Sequence, residues 1–424
     1  FEHLMFQGTE NRSGEYFAPF TKAGATGMNG TTSEDRTNYY ATIPTEAIDM
    51  ALWMESDRMS NLLGAITQEA LDEQRGVVQN EKRQRKNRPY GSVYDHIREG
   101  IYPVGHPYRH SVIGSMDDLN SATIDDVHGW FKKFYGASNA VLVLAGDIDL
   151  NTAKQKVTHY FQGAPSGGPL IKSKQWIPQI QDNRKSEMFD RVGQTRISRT
   201  WPLPNQLDRD TVLMYLVNET LVGDKNSPLY KRLVDELELA TDISGSAYGR
   251  MLSGEYNLTI NLKPNIDSKE VIEVVNEVLN QYLQTGPDAE LLENAKLGVN
   301  MYMLGSMESK STIGRMLAEG QLYADDPLQV KNELRILNDA TQNDLLEAAN
   351  RWLSRGYFEI IVNPFPEYIL SEEIVSRSEI PSVGSSTSIK FPEIQTAELS
   401  NGMKVVVSEN GDLPLIDVYF RIGT

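Results

Sequence analysis

Between residues 45 and 86 the apolar positions fall at helical spacing. Ile48, Ala51, Leu52 and Met59 recur near a period of 3.6, which predicts a helix over 45–64. A second helix is predicted over 67–86, closed by Asn87-Arg-Pro-Tyr-Gly91 because proline and glycine do not continue it. A third is predicted over 123–135. Two runs have strand composition instead: Thr37-Asn-Tyr-Tyr-Ala-Thr-Ile43, preceded by the small polar Thr26-Gly-Met-Asn-Gly-Thr-Thr32, and the wholly apolar 140–145. Ala164-Pro-Ser-Gly-Gly-Pro169 then breaks every period and predicts a linker. Beyond it, 256–262 reads as a strand, while 269–284 and a run from Pro287 read as helices. Phe1-Glu-His-Leu-Met-Phe6 reads as the middle of an amphipathic helix, so the chain is expected to begin inside a domain.

The pattern repeats. Leu119-Asn-Ser-Ala-Thr-Ile-Asp-Asp126 recurs as Leu337-Asn-Asp-Ala-Thr-Gln-Asn-Asp344, an offset of 337 − 119 = 218 residues. The same offset lays Phe134 on Trp352 and 140–144 on 358–362 without a gap. Each Thr precedes an acidic residue three positions on, the signature of a helix N-cap. A shared cap alone says little, but the common register of cap, aromatic and closing strand implies duplication. The expectation is an α+β chain of two duplicated domains, each a mainly antiparallel sheet with helices packed on one face. These would span 1–163 and 185–365, with linkers at 164–184 and 366–394. The strand patterns at 403–408 and 415–420 suggest that 395–424 begins a further unit of the same kind.

Composition narrows the chemistry. There is no cysteine, which excludes disulfides, thiolate metal sites and a cysteine nucleophile. Any transition-metal site must use Asp, Glu or the six histidines. A net charge of −17 makes nucleic acid a poor partner; an acidic cavity for basic peptides and a solvated acidic surface both remain compatible with it. No apolar run is long enough to predict a membrane span.

Three features could carry chemistry: Glu2-His3, Glu81 in the 67–86 helix, and Asn29-Gly-Thr-Thr32. Alone, each has an ordinary reading. Glu2-His3 fits a surface pair. Glu81 precedes Lys82, Arg83, Arg85, Lys86 and Arg88, cations that complement a helix C-terminus. Asn29-Gly30 fits a turn. His96, His110, His128 and His159 show no paired spacing, and His106 before Pro107 reads as structural.

Together they resemble something more specific. Phe1-Glu-His-Leu-Met-Phe-Gln-Gly-Thr9 resembles the latter part of the H-x-x-E-H signature of inverted zinc peptidases. Met28-Asn-Gly-Thr-Thr-Ser-Glu-Asp-Arg-Thr-Asn-Tyr39, Gln74-Arg-Gly-Val-Val-Gln-Asn-Glu-Lys-Arg-Gln84, His106-Pro-Tyr108, Asn139-Ala-Val-Leu-Val-Leu-Ala-Gly-Asp147 and Ser227-Pro-Leu-Tyr-Lys-Arg-Leu233 resemble the same family in the same order. This is the pitrilysin/insulinase type, which includes mitochondrial processing peptidase and bacterial zinc proteases. Leu399-Ser-Asn-Gly-Met-Lys-Val-Val-Val407 resembles the opening strand of a family unit.

The resemblance implies a zinc endopeptidase acting on unfolded peptides. It makes His3 and Glu81 metal ligands with 81 − 3 − 1 = 77 residues between them, and puts the motif's first His two positions before Phe1 and so outside this sequence. It makes Glu2 the general base and Asn29, Gly30 and Thr31 the strand along which a peptide lies. It also implies a second homologous half, in the same chain or as a partner subunit. Many relatives carry a Glu seven residues before the third ligand; here that position is Gln74, and the adjacent Glu73 is the candidate to orient a ligand instead. The alternative is a partner subunit of the same fold that has lost catalysis.

Overall fold

The computed structural model describes residues 1–366, 393–408 and 418–419. Residues 1–366 form one compact unit and 367–424 a second. In the first, β1 (Thr26–Thr32) and β2 (Thr37–Thr42) make an antiparallel hairpin after a short helix α1 (Ala18–Lys22). The expected helices follow as α2 (Ile48–Ser60) and α3 (Gln68–Lys86). Thr67 caps α3 by accepting from the Ala70 amide. Then come α4 (Val93–Ile101), α5 (Met116–Ser121), α6 (Ile124–Phe134) and α7 (Leu150–Phe161).

Beyond residue 183 lies a five-stranded sheet built from β3 (Arg184–Asp190), β4 (Arg196–Leu203), β5 (Ala240–Tyr248), β6 (Gly254–Leu262) and β7 (Phe358–Pro364), in the order β3-β7-β4-β6-β5. Only β3–β7 is parallel; the other three pairings are antiparallel. Its helices are α8 (Arg209–Asn218), the single turn α9 (Pro228–Tyr230), α10 (Ser268–Thr285), α11 (Ala289–Ser306), α12 (Lys310–Ala324), α13 (Gln329–Asp339) and α14 (Gln342–Leu353). The larger core lies here, where α8, α10 and α14 close on β4–β6 around Trp201, Leu213, Tyr256, Val271 and Leu345. In the second unit, β8 (Ile394–Glu398) and β9 (Lys404–Ser408) form a hairpin through Gly402, whose φ of +83° suits a residue without Cβ. Most of the expected 366–394 linker and the 415–420 strand fall outside the described residues.

The repeated segments carry the same cap. Thr123 with Asp126 and Thr341 with Asp344 form the same reciprocal capping box. Val127 and Leu345, again 218 apart, are both buried. The closing strand is where the copies diverge. Residues 358–362 lie in β7 between β3 and β4, whereas 140–145 joins no ladder, and Val141 and Leu142 are 36% and 44% exposed. The expected strand is therefore corrected: an apolar run favours extended backbone, but a ladder needs a neighbour, and the described residues supply none.

The segment 164–183 has no helix or strand, yet it is tied down. Ala137 and Ser138 amides donate to Pro165 and Ser166 carbonyls, and the Trp176 amide donates to Leu252. The two blocks share a core in which Ile97, Ile101 and Tyr108 meet Ile180, Leu252 and Phe358. Beside it Arg250, 4% exposed, pairs with Glu255 at 2.9 Å and with Glu34 at 3.3 Å, and Arg98 also pairs with Glu34. Burial would raise the Glu34 pKa; Arg250 and Arg98 overcome that and hold it below its ordinary value.

Two predictions follow from this junction. Arg250→Met leaves Glu255 and Glu34 buried with a lost partner, and is expected to cost about 3–5 kcal/mol of stability, read by urea unfolding. His106 is fully buried, with Nε2 2.9 Å from the Trp176 carbonyl and Nδ1 accepting from the Tyr108 amide. Burial lowers its pKa below 6.5, so the unfolded chain takes up the proton first. This contribution to stability is complete above about pH 6.5 and declines as pH falls below that. His106→Asn should flatten that part of the melting temperature's pH profile; an unchanged slope would exclude the histidine as its source.

Candidate metal centre

The expected N-terminal helix is a five-residue 3-10 turn, Glu2–Phe6, closed by the Leu4 amide on the Phe1 carbonyl. Leu4 and Met5 are buried against Leu62, Leu71 and Phe131, which directs Glu2 and His3 to the other side. His3 Nε2 lies 3.7 Å from Glu81 Oε1 on α3. Two sequence-distant side chains thus converge on one point.

Helix phase decides who meets them. Gln74 and Glu81 are seven residues apart, so they lie within about 20° on one face of α3. Gln74 Oε1 stands 3.2 Å from His3 Nδ1. Glu73 is rotated about 100° from Gln74 and is exposed. The orienting contact therefore belongs to Gln74, and the expectation for Glu73 is corrected. With the amide carbonyl accepting from Nδ1–H, the Nε2 lone pair is left facing Glu81.

Glu2 is fixed by the hairpin. Thr32, at the end of β1, donates its hydroxyl to Glu2 Oε2 and stands 3.2 Å from the Thr37 hydroxyl. Tyr39 on β2 meets the Tyr135 hydroxyl at 3.0 Å, and Tyr135 packs on Phe1 at 4.7 Å between centroids. Burial raises the pKa of both tyrosines, so they act as neutral hydroxyls. Beneath them Arg58, 2% exposed, stacks on the Tyr16 and Tyr39 rings at 4.4 and 4.3 Å, pairs with Glu55, and points Nη1 at the Met5 carbonyl.

Asn29, Gly30 and Thr31 are mid-strand in β1, not in a turn. A Cβ on Gly30 would lie 2.7 Å from the Phe6 ring, so only glycine lets β1 pass this close to the site segment. Thr31 is engaged by Arg36 at 2.7 Å and by Asn38. Among the described residues β1 pairs only with β2, leaving its other edge free.

His3 and Glu81 fit two positions of a zinc site. Ligand distances of 2.0–2.2 Å in a tetrahedron place two donors about 3.4 Å apart, close to the separation here. Among the described residues no third His, Asp or Glu joins them in a metal-holding group. The remaining histidines lie elsewhere; His106, as above, is a buried structural link.

Residues 1–110 match the family model described as insulinase (peptidase family M16), and residues 121–299 match the one described as the peptidase M16 inactive domain. The chain belongs to this insulinase, or M16, family of peptidases. It is 22% identical over 355 residues to a Helicobacter pylori protein named zinc protease PqqE, covering 83% of this chain and 79% of that one. It is 23% identical over 371 residues to the mitochondrial-processing peptidase subunit beta of Saccharomyces cerevisiae, covering 82% and 78%. A solved protease from Helicobacter pylori superposes with a TM-score of 0.78 at 22% identity, over 86% of this chain and 88% of that one. The first half of the periplasmic protease PqqL from Escherichia coli gives 0.67 at 15% identity, over 85% and 81%. These structural likenesses show the fold.

The Gln74 contact makes a prediction that needs no metal. Neutral His3 is expected as the Nδ1–H tautomer in nitrogen-15 spectra, and Gln74→Leu should remove that bias. A tautomer ratio unchanged by the substitution would show that Gln74 does not hold the ring.

Proposed function

We propose that the chain is the metal-bearing half of a zinc-dependent endopeptidase that hydrolyses peptide bonds in unfolded peptides. The observation that carries the reading is the meeting of His3 and Glu81 at 3.7 Å with the Glu2 carboxylate beside them on the same turn. Relatives named zinc protease support zinc as the cofactor. His3 Nε2 and Glu81 Oε1 would hold it. Bound zinc supplies a Lewis acid and lowers the pKa of a nearby water towards ~7.

The chain's own residues supply the rest. Glu2 takes a proton from the attacking water and returns it to the leaving nitrogen. Thr32 holds one Glu2 oxygen, leaving the other for that transfer. Gln74 keeps the His3 ring turned so that Nε2, not Nδ1, faces Glu81. A peptide adds along the free edge of β1 at Asn29–Thr31, through main-chain hydrogen bonds that tolerate many sequences. A second homologous half, in this chain or a partner, would close over the site. A matched solved structure titled as a first half supports that arrangement.

In the full-length protein, Glu2→Gln is expected to keep roughly one zinc per chain while peptide hydrolysis falls by about 10²–10⁴-fold. Retained hydrolysis would remove Glu2 from the role of base. A wild-type protein without zinc and without hydrolysis would favour the inactive-subunit reading, which the two-donor set among the described residues keeps in play.

A further inference from the structure

The face of α3 that carries the site continues past it. Arg85 follows Glu81 by four residues, about 40° around the helix and about 6 Å along it. It therefore lies on the side that presents Gln74 and Glu81 to His3. The Arg85 side chain is exposed and makes no hydrogen bond or ion pair among the described residues, and the Glu81 carboxylate faces His3. Arg88, just beyond the helix, is also exposed.

The neighbouring cations are placed differently. Lys82 is turned aside, donating to the Gly114 carbonyl at 2.7 Å. Arg83 is about 160° from Glu81, on the far side of the helix. Helix-dipole complementarity accounts for cations anywhere on this last turn. It does not distinguish Arg85 from Arg83, whereas the position of the site does. In a chain of net charge −17, the segment 82–88 holds five cations and no acid.

We infer that Arg85, supported by Arg88, is a specificity determinant that receives an acidic side chain of the peptide close to the bond being cleaved. The inference rests on the peptidase reading and deepens it. A peptide that extends from the site alongside α3 would advance about 3.3 Å per residue, so the roughly 6 Å from Glu81 to Arg85 would correspond to about two residues of substrate. An extended arginine then meets a Glu or Asp side chain there as a charge-assisted pair. The pair forms at an open surface, which limits its strength and makes it sensitive to salt.

The test uses the full-length protein and fluorogenic peptides identical except for Glu, Gln or Lys at single positions flanking the cleaved bond. At one position within about three residues of that bond, Glu should exceed Lys in kcat/KM by about fivefold at low salt, and high salt should erase the difference. Arg85→Glu should invert the preference towards Lys, and Arg83→Glu should leave it unchanged. A Glu-to-Lys ratio identical in wild type and Arg85→Glu overturns the inference. So does a loss shared equally by all peptides, which would make Arg85 a support for Glu81. If no peptide is cleaved, the hydrolytic reading fails separately, and the same peptides, labelled, report binding to the Glu2→Gln protein by anisotropy. There the Glu preference and its inversion by Arg85→Glu are still expected, and equal affinities for Glu and Lys peptides refute them.

Discussion

Arg58 is the constraint on which the site depends. A cation only 2% exposed must be neutralised and hydrogen-bonded, and each partner it recruits belongs to a different part of the site's support. Glu55 is its own helix neighbour; Tyr16 and Tyr39 stack on its two sides; the Met5 carbonyl faces its Nη1. Helix α2, the β1–β2 hairpin and the turn bearing Glu2 and His3 are thereby referred to one guanidinium. The planar group suits this, because stacking and in-plane donation use separate faces. A lysine could keep the charge but not both rings.

That anchoring matters because the block around the site has small cores. Its clusters, around Leu4 and Phe131 and around Tyr16 and Phe20, are modest beside the core spanning β4–β6 and three helices. Polar and aromatic contacts therefore fix the turn that bears His3. The shared core at Ile97, Tyr108 and Phe358, with the Arg250 cluster, braces this block against the larger one. Gly100 shows how close they come: a Cβ there would lie 2.3 Å from the Phe358 ring.

Much of this was legible in the residues, unevenly. Helices α3, α6 and α14 were readable because periodicity, cap and stop signal coincide, and Thr123 and Thr341 recur in identical capping boxes. Glu2, His3 and Glu81 came from motif resemblance; spacing in sequence says nothing of a meeting across 77 intervening residues. The choice between Glu73 and Gln74 was open because composition favours the acid, while one residue of helix phase, about 100°, decides for the amide. The run 140–145 was readable as extended but not as unpaired, since pairing depends on residues elsewhere. A parallel β3–β7 pair within a mostly antiparallel sheet has no local signature either.

Charge at the site and charge of the chain are separate quantities. A net charge of −17 acts at long range and is screened within about 8–10 Å at physiological salt. A peptide within hydrogen-bonding distance of β1 is governed by the few groups nearer than that. Glu2 accepts from the Thr32 hydroxyl there, and Glu81 is turned to the His3 ring at 3.7 Å. The exposed guanidinium of Arg85 has no such contact, so this face of α3 offers a peptide one unengaged cation although the molecule is acidic. An acidic surface and an acid-accepting subsite are thus compatible: the first sets the approach from a distance, the second the fit at contact.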